Sequence, residues 1–285
     1  MILDNSDNLN PEDLVLIGIC SDENSSFMRG CANAPQLIRS ALYSDSSNLT
    51  TETGMDLSTI LAMKDMGDRK IDPGAHAFMD IETYIKEIVT KGAFPLTLGG
   101  DHAITYPIMR AMAEQHGPMD ILHFDAHPDL YHELDDNRLS HGCPFARIME
   151  EGLARRLVQV GIRTLNAHQR KQAQRFGVEV HEMMSLDVAS FEPSFTGPVY
   201  ISFDMDALDP AFAPGVSHFE PGGLSVREVL GILHKLKGRV VGADIVEYNP
   251  KHDFHNMTAM VAAKLVKEIG GIILAPGATQ SRNGK

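Results

Sequence analysis

Residues 121–129 read Ile121-Leu122-His123-Phe124-Asp125-Ala126-His127-Pro128-Asp129, an apolar run that passes directly into charged residues. Such a run is typical of a buried β-strand, so the charged residues would follow the end of the strand. In an extended chain, alternate side chains point to the same side, and Asp125, His127 and Asp129 therefore share one face. The segment predicts a strand whose carboxyl end carries two carboxylates and an imidazole.

Two further segments have the same design. The apolar run Tyr200-Ile201-Ser202-Phe203 is followed by Asp204-Met205-Asp206. The two-residue period of an extended chain would again place the two carboxylates on one face. After the run 94–98, glycines 99 and 100 permit a tight turn that leaves His102 at the start of a helix. Because ligands bind outside the carboxyl ends of parallel strands, we expect the three segments to meet at one edge of a sheet.

Apolar runs of strand length alternate with stretches of helical period along the chain, which is typical of a parallel sheet with crossover helices. The predicted strands are 14–20, 61–66, 94–98, 120–124, 156–161, 178–181, 199–203 and 240–246. The predicted helices are 35–43, 75–91, 106–116, 144–151, 167–176, 226–236 and 258–269. With no repeat, linker or composition shift, we expect a single α/β domain over residues 1–285, with 275–285 as a frayed tail.

The three segments together supply six candidate metal ligands, namely His102, Asp125, His127, Asp129, Asp204 and Asp206. Four carboxylates packed together would repel one another and raise their pKa values unless cations lay among them. One divalent ion cannot use six such ligands, whereas two ions that share bridging carboxylates can, and a metal pair makes a nucleophilic hydroxide near neutral pH. Each Asp pair alone is more typical of a turn or helix cap, but their joint occurrence favours a two-metal site. Oxygen-rich ligation favours Mn²⁺, with Fe, Co, Ni or Zn as alternatives.

Composition excludes several classes of partner and location. The formal net charge is −13, which disfavours nucleic acid and suits a cationic small molecule. No apolar run approaches the ~18 residues of a membrane span, and the N-terminus lacks the features of a signal peptide. The three cysteines, Cys20, Cys31 and Cys143, form no CxxC pair, so neither a disulfide framework nor a thiolate zinc site is expected. We predict a cytoplasmic protein without membrane or nucleic-acid partners.

The motifs resemble those of the ureohydrolases, a family that includes arginase, agmatinase, guanidinobutyrase, formiminoglutamase and proclavaminate amidinohydrolase. The resemblance rests on Gly99-Gly100-Asp101-His102, on residues 125–129, and on residues 202–210. It extends over nearly the whole chain, and residues 145–150 and 220–225 are similar to the plant-type arginase branch in particular. The resemblance implies cleavage of a guanidino C–N bond with release of urea.

The family resemblance also implies an architecture and a ligand set. It implies a three-layer fold with an eight-stranded, mostly parallel sheet, two Mn²⁺ ions per subunit, and a homo-oligomer that is a trimer or hexamer. One ion would take His102, Asp125, Asp129 and Asp204, and the other would take Asp125, His127, Asp204 and Asp206. Asp125 and Asp204 would then bridge the two ions.

The resemblance assigns further roles around the metal site. His141 resembles the histidine that passes a proton to the leaving amine, and an imidazole pKa near ~6.5 suits that work. Glu247 resembles the carboxylate that pairs with the planar guanidinium. Asp129 would orient the hydroxide. His123 shares the parity of Asp125 but lies deeper in its strand, where a packing or supporting role is expected.

The loop before His141 bears on the choice of substrate. Its acids Glu133, Asp135 and Asp136 would repel a carboxylate and attract an amine, which predicts agmatine as the substrate. Asn137 and Arg138 would instead suit the carboxylate of L-arginine, and 4-guanidinobutyrate and guanidine are further alternatives. Two rivals from other classes are a metal-free sensor of arginine or a polyamine, and an amide deacetylase with one metal. The sensor is disfavoured because an unfilled cluster would cost stability.

Overall fold

The computed structural model describes residue 3 and residues 6–275, and within that part of the chain all β-strands belong to one sheet. The strands are β1 (Leu14–Cys20), β2 (Met63–Lys70), β3 (Phe94–Leu98), β4 (Met119–Phe124), β5 (Ala154–Ile162), β6 (Glu179–Glu182), β7 (Ser194–Asp204) and β8 (Lys237–Val246). The helices are α1 (Ala34–Leu42), α2 (Ala77–Val89), α3 (Thr105–His116), α4 (Pro144–Glu150), α5 (Ala167–Phe176), α6 (Val226–Lys235) and α7 (Met257–Leu274). Every pairing is parallel, in the order β2-β1-β3-β8-β7-β4-β5-β6.

The central strands are buried on both faces, as a parallel sheet requires. All residues of β3 and β4 are buried, and both strands consist mainly of large apolar side chains. The helices pack in two groups, α7 with α1 and α6, and α3 with α2 and α4. The hydrophobic core therefore lies between the sheet and its helices, in the three-layer architecture expected from the sequence.

The strand order brings four carboxyl ends together at the middle of the sheet. Leu98 of β3 lies beside Ile245 of β8, Val246 of β8 lies beside Asp204 of β7, and Phe203 of β7 lies beside Phe124 of β4. The loops that follow these strands therefore start along one line, although they are far apart in the chain. This line is the edge at which the sequence places its candidate ligands.

The predicted fold class, an eight-stranded parallel sheet between helices, is confirmed. The strands predicted at 14–20 and 94–98 and the helix at 167–176 have the observed bounds. The prediction failed most at the polar ends of β2 and β7, where residues 67–70 and 194–198 extend the strands beyond the predicted apolar runs. Most of the predicted tail, residues 276–285, lies outside the described residues. No helix in the described part of the chain is long and apolar enough to cross a bilayer.

Candidate metal centre

The first group of converging side chains surrounds the imidazole of His102. Its Nδ1 atom lies 3.3 Å from Asp125 Oδ2, 3.1 Å from Asp129 Oδ2 and 3.2 Å from Asp204 Oδ2. Ligand atoms that surround one divalent ion at about 2.0–2.3 Å are separated by about 3 Å, so these spacings suit a shared ion. All four residues are buried.

A second group lies directly beside the first and shares Asp125 with it. His127 Nδ1 lies 3.3 Å from Asp125 Oδ1 and 3.1 Å from Asp206 Oδ2. The two oxygens of Asp125 thus face different histidines. The structure brings all six residues predicted as ligands together, in two adjoining groups.

Backbone geometry explains how the loops deliver these side chains. Gly100 passes so close to the preceding loop that an added Cβ would lie 1.6 Å from the carbonyl oxygen of Ser21, and only glycine fits there. The turn after β3 then starts a short 3₁₀ helix at His102. Asp129 adopts a left-handed backbone conformation (φ 50°) that is uncommon for residues other than glycine. Strain of this kind is typical of functional sites.

The hydrogen bonds of His102 test whether a cation fits. Its Nε2 lies 2.9 Å from the hydroxyl of Ser202, which donates to Asp244 Oδ1 at 2.7 Å. Ser202 therefore accepts from Nε2, and the lone pair of Nδ1 faces three carboxylate oxygens without a hydrogen-bond partner among the described residues. A divalent cation between these atoms would satisfy them all. Burial lowers the pKa of His102, but Asp125, Asp129 and Asp204 raise it well above the usual value, so the site attracts positive charge.

His123 supports Asp125 from beneath the site. Gln159 Nε2 lies 3.0 Å from His123 Nδ1, and a donating amide there leaves the ring proton on Nε2, which lies 2.9 Å from Asp125 Oδ2. The ring stacks on Phe145 with a centroid separation of 4.0 Å. Burial lowers the pKa of His123. A neutral histidine that donates to a ligand fixes the orientation of that ligand, as the sequence predicts for this position.

His141 and Glu247 form an ion pair beside the metal centre, a contact that sequence reasoning missed. His141 Nδ1 lies 2.8 Å from Glu247 Oε1, which also accepts from the backbone N–H of His102 at 2.8 Å. Burial lowers the pKa of His141, but Glu247 raises it to about 9, and although burial raises the pKa of Glu247, His141 brings it down to about 2. Glu247 has a left-handed backbone conformation (φ 62°), and Ser26 Oγ lies 2.8 Å from His141 Nε2.

A cavity of about 240 Å³ opens onto these groups, a size suited to a small ligand. Its inner wall is formed by His127, Asp129, His141, Asp204, Asp206 and Glu247. Its outer wall is formed by Ser26, Tyr131, Leu134, Thr164, Gln169 and His218. None of these outer residues was assigned a role from the sequence, because only the fold brings four separate segments of the chain around one opening.

The acidic loop does not reach the cavity, which corrects the charge argument for agmatine. Asp135 and Asp136 have φ values of 52° and 58° at the exposed corner of a turn, and Glu133 is exposed as well. Among the described residues that line the cavity, none of these three acids is present. Asn137, predicted to bind substrate, is absent from the lining too; its Nδ2 donates to Asn24 Oδ1 at 3.2 Å, and its Oδ1 accepts from the backbone of Leu139 at 2.8 Å. Neither residue type nor charge showed which way this loop turns.

Comparisons with known proteins agree with this geometry. A sequence model of the Arginase family matches residues 12–271. A curated relative, Arginase 1, mitochondrial, from Arabidopsis thaliana, is 49% identical and covers 90% of this chain and 80% of its own. Agmatinase, mitochondrial, from Gallus gallus is 37% identical over 93% of this chain and 82% of its own. The solved structure of arginase from Medicago truncatula superposes with a TM-score of 0.87 at 45% identity, covering 91% of this chain and 87% of its own.

Proposed function

The chain belongs to the arginase family of hydrolases that act on guanidino C–N bonds, and from this premise we propose that it converts L-arginine to L-ornithine and urea with two Mn²⁺ ions. The observation that carries the proposal is Asp125, whose two carboxylate oxygens face two separate histidines. The comparisons do not support agmatine over arginine, since relatives near 48% identity are named arginases and the agmatinase is more distant. Membership in a hydrolase family also removes the sensor and the deacetylase as alternatives.

In this proposal the six clustered residues hold the metals as the family resemblance implies. His102, Asp125, Asp129 and Asp204 would hold one ion, and Asp125, His127, Asp204 and Asp206 would hold the other. When bound, the two ions would neutralise the four carboxylates and supply a nucleophile near neutral pH. Asp129 faces the cavity from the first group and is placed to accept a hydrogen bond from that nucleophile.

The ion pair of His141 and Glu247 supplies the proton transfer. Glu247 favours the protonated form of His141, because the neighbouring carboxylate raises the imidazole pKa. A guanidinium that pairs with Glu247 brings a second positive charge to the same carboxylate and so lowers the pKa of His141. Binding of substrate thereby makes His141 a stronger acid, and His141 gives its proton to the departing amine as the C–N bond breaks. The nitrogen leaves as the ammonium of ornithine, and the guanidino carbon leaves in urea.

The domain organisation, the oligomeric state and the location in the cell complete the proposal. The chain acts as one domain over residues 1–285, in a homo-oligomer that is a trimer or hexamer, and resides in the cytoplasm. The names of the plant relatives place those proteins in mitochondria or chloroplasts. The cytoplasmic location and the oligomer therefore stay predictions for this chain.

Metal removal is predicted to destabilise the folded protein. Ions that bind only the folded state increase the free energy of unfolding by RT ln(1 + [L]/Kd). This is about 4 kcal/mol when the ion concentration is a thousandfold above Kd. In a chain of this size that corresponds to a melting temperature higher by roughly 5–10 °C. Differential scanning calorimetry of chelated protein, with and without added Mn²⁺, measures this, and Ca²⁺ serves as a control because it prefers more oxygen ligands. A melting temperature that chelation and Mn²⁺ both leave unchanged would contradict the metal site.

The substrate is tested by urea release from L-arginine, agmatine, 4-guanidinobutyrate and guanidine. We expect the highest kcat/KM for L-arginine, by about tenfold or more. A site that hydrogen-bonds the substrate carboxylate would reject analogues that lack this group, such as agmatine and guanidine. Each reaction should be run with Mn²⁺-loaded protein of measured metal content. Preference for agmatine would overturn the proposed substrate and leave the hydrolysis of guanidino compounds intact.

A further inference from the structure

Gln169 presents an unused hydrogen-bond donor to the outer cavity. It lies in the first turn of α5 and is only 2% exposed, yet it lines the cavity wall. Its Oε1 accepts from the backbone N–H of Leu130 at 3.1 Å, and this contact requires the oxygen on that side. The Nε2 amide must therefore face away from Leu130. No hydrogen bond joins this nitrogen to another described residue, so it can donate to water or to a ligand in the cavity that Gln169 lines.

Tyr131 offers a second donor from the same wall. Asn166 Nδ2 donates to the Tyr131 hydroxyl at 2.6 Å, so the proton of that hydroxyl stays available. The same asparagine caps α5, because its Oδ1 accepts from the backbone N–H of Gln169 at 3.0 Å. Asn166 thus ties the tyrosine to the glutamine. The two donors are held by one short, hydrogen-bonded unit.

The rest of the outer wall offers little to a bare ammonium. The Thr164 hydroxyl donates to the carbonyl of Ala126 at 3.0 Å, and Leu134 is apolar. The described residues of the outer wall include no carboxylate. The positive end of the α5 dipole also lies on this side, since Gln169 belongs to the first turn of that helix. Unused donors without a charged acceptor suit an anion, and the guanidino end of the substrate occupies the inner wall.

We propose that Gln169, with the hydroxyl of Tyr131, binds the carboxylate at the far end of the substrate and thereby selects guanidino acids over agmatine. The inference rests on the proposed function, because it takes the inner wall as the guanidino site. A substrate without a carboxylate leaves the Gln169 amide unpaired, whereas a carboxylate accepts from both donors. Selectivity thus follows from two neutral donors, independent of the acidic loop.

Gln169→Glu is the sharpest test, since it preserves the shape and the acceptor for Leu130 while placing a negative charge at the donor position. We expect kcat/KM for L-arginine to fall about 100-fold or more, through KM, while kcat/KM for agmatine stays equal or rises. Gln174→Glu is the matched control, because it makes the same charge change at an exposed position of the same helix. The double variant Asp135→Asn, Asp136→Asn should leave the ratio of the two substrates unchanged.

If Gln169→Glu folds poorly, a second variant, Tyr131→Phe, and measurements of product binding still test the proposal. Tyr131→Phe removes one hydroxyl and should raise KM for L-arginine about tenfold without affecting agmatine. Calorimetry should show weaker binding of L-ornithine, with binding of putrescine unchanged. If the parent prefers arginine but both variants keep the parent ratio, or lose both substrates equally, only the role of Gln169 and Tyr131 is overturned. If the parent prefers agmatine, the proposed substrate and this inference both fall.

Discussion

Asp125→Asn should abolish turnover, with a loss of roughly 10³-fold or more and loss of bound metal. Both oxygens of Asp125 face histidines, Oδ2 towards His102 and Oδ1 towards His127, at 3.3 Å each. An asparagine would turn an uncharged NH₂ group towards one of the two ions and remove a charge that both share. Metal ions contribute several kcal/mol of transition-state stabilisation, and about 1.4 kcal/mol corresponds to a factor of ten in rate. Elemental analysis and urea release measure the two effects separately.

Asp136→Asn is the matched control for this substitution. It makes the same chemical change at an exposed turn residue with φ 58°, a conformation that asparagine adopts readily. Its activity and metal content should equal those of the parent. If Asp125→Asn kept two ions per chain and the parent turnover, Asp125 would not bridge two metals, and the proposed binuclear centre would be wrong.

His141→Ala should retain both metals and lose roughly 10²–10⁴-fold in kcat, the usual effect of a missing proton-transfer group. His141 forms no hydrogen bond or ion pair with the six clustered residues and pairs instead with Glu247 and Ser26. Because the lost step is proton transfer, added imidazole should restore part of the turnover. The measurement is kcat with and without imidazole, together with metal content.

His76→Ala, at an exposed histidine before α2, provides the control and should behave as the parent does. Two results would remove His141 from the proposed mechanism. Parent-like turnover would show that the proton comes from elsewhere, and a loss of metal would show that His141 is a ligand. The variant also removes the positive charge beside Glu247, so the pKa of that carboxyl should rise in the free protein.

The sequence pattern was enough to predict which six side chains cluster, but the extended backbone assumed for them was wrong. Asp129 has a left-handed backbone (φ 50°), and Asp206 lies in a short 3₁₀ helix that begins directly after Asp204. Parallel strands end at a common edge, which brought the segments together in the prediction. The contact of His141 with Glu247 was beyond this reasoning, because the residues are joined only through the order of β3, β8, β7 and β4.

The substrate prediction was weaker, because it used the charge of a loop without knowing where that loop lies. Glu133, Asp135 and Asp136 are acidic, but the turn between Leu134 and Asn137 directs them away from the cavity. Conversely, Gln169 carries no charge and has no sequence motif, and it matters only because Leu130 holds its oxygen. Which atom of a side-chain amide faces a ligand depends on its hydrogen bonds to residues that are distant in sequence, and the sequence does not show these.

The place of β7 and β8 in the sheet has a consequence for the synthesis of the chain on the ribosome. Of the described strands these two are made last, yet they lie between β3 and β4. At about 5–20 residues per second, the interval between the emergence of β4 and that of β8 is on the order of 10 s. β4 lacks a neighbour until β7 emerges, β3 lacks one until β8 emerges, and open strand edges invite aggregation. His102, which follows β3, meets the candidate ligands after β4 and β7 only when β8 fills the gap between β3 and β7, so a nascent chain completes this cluster only after β8 has emerged.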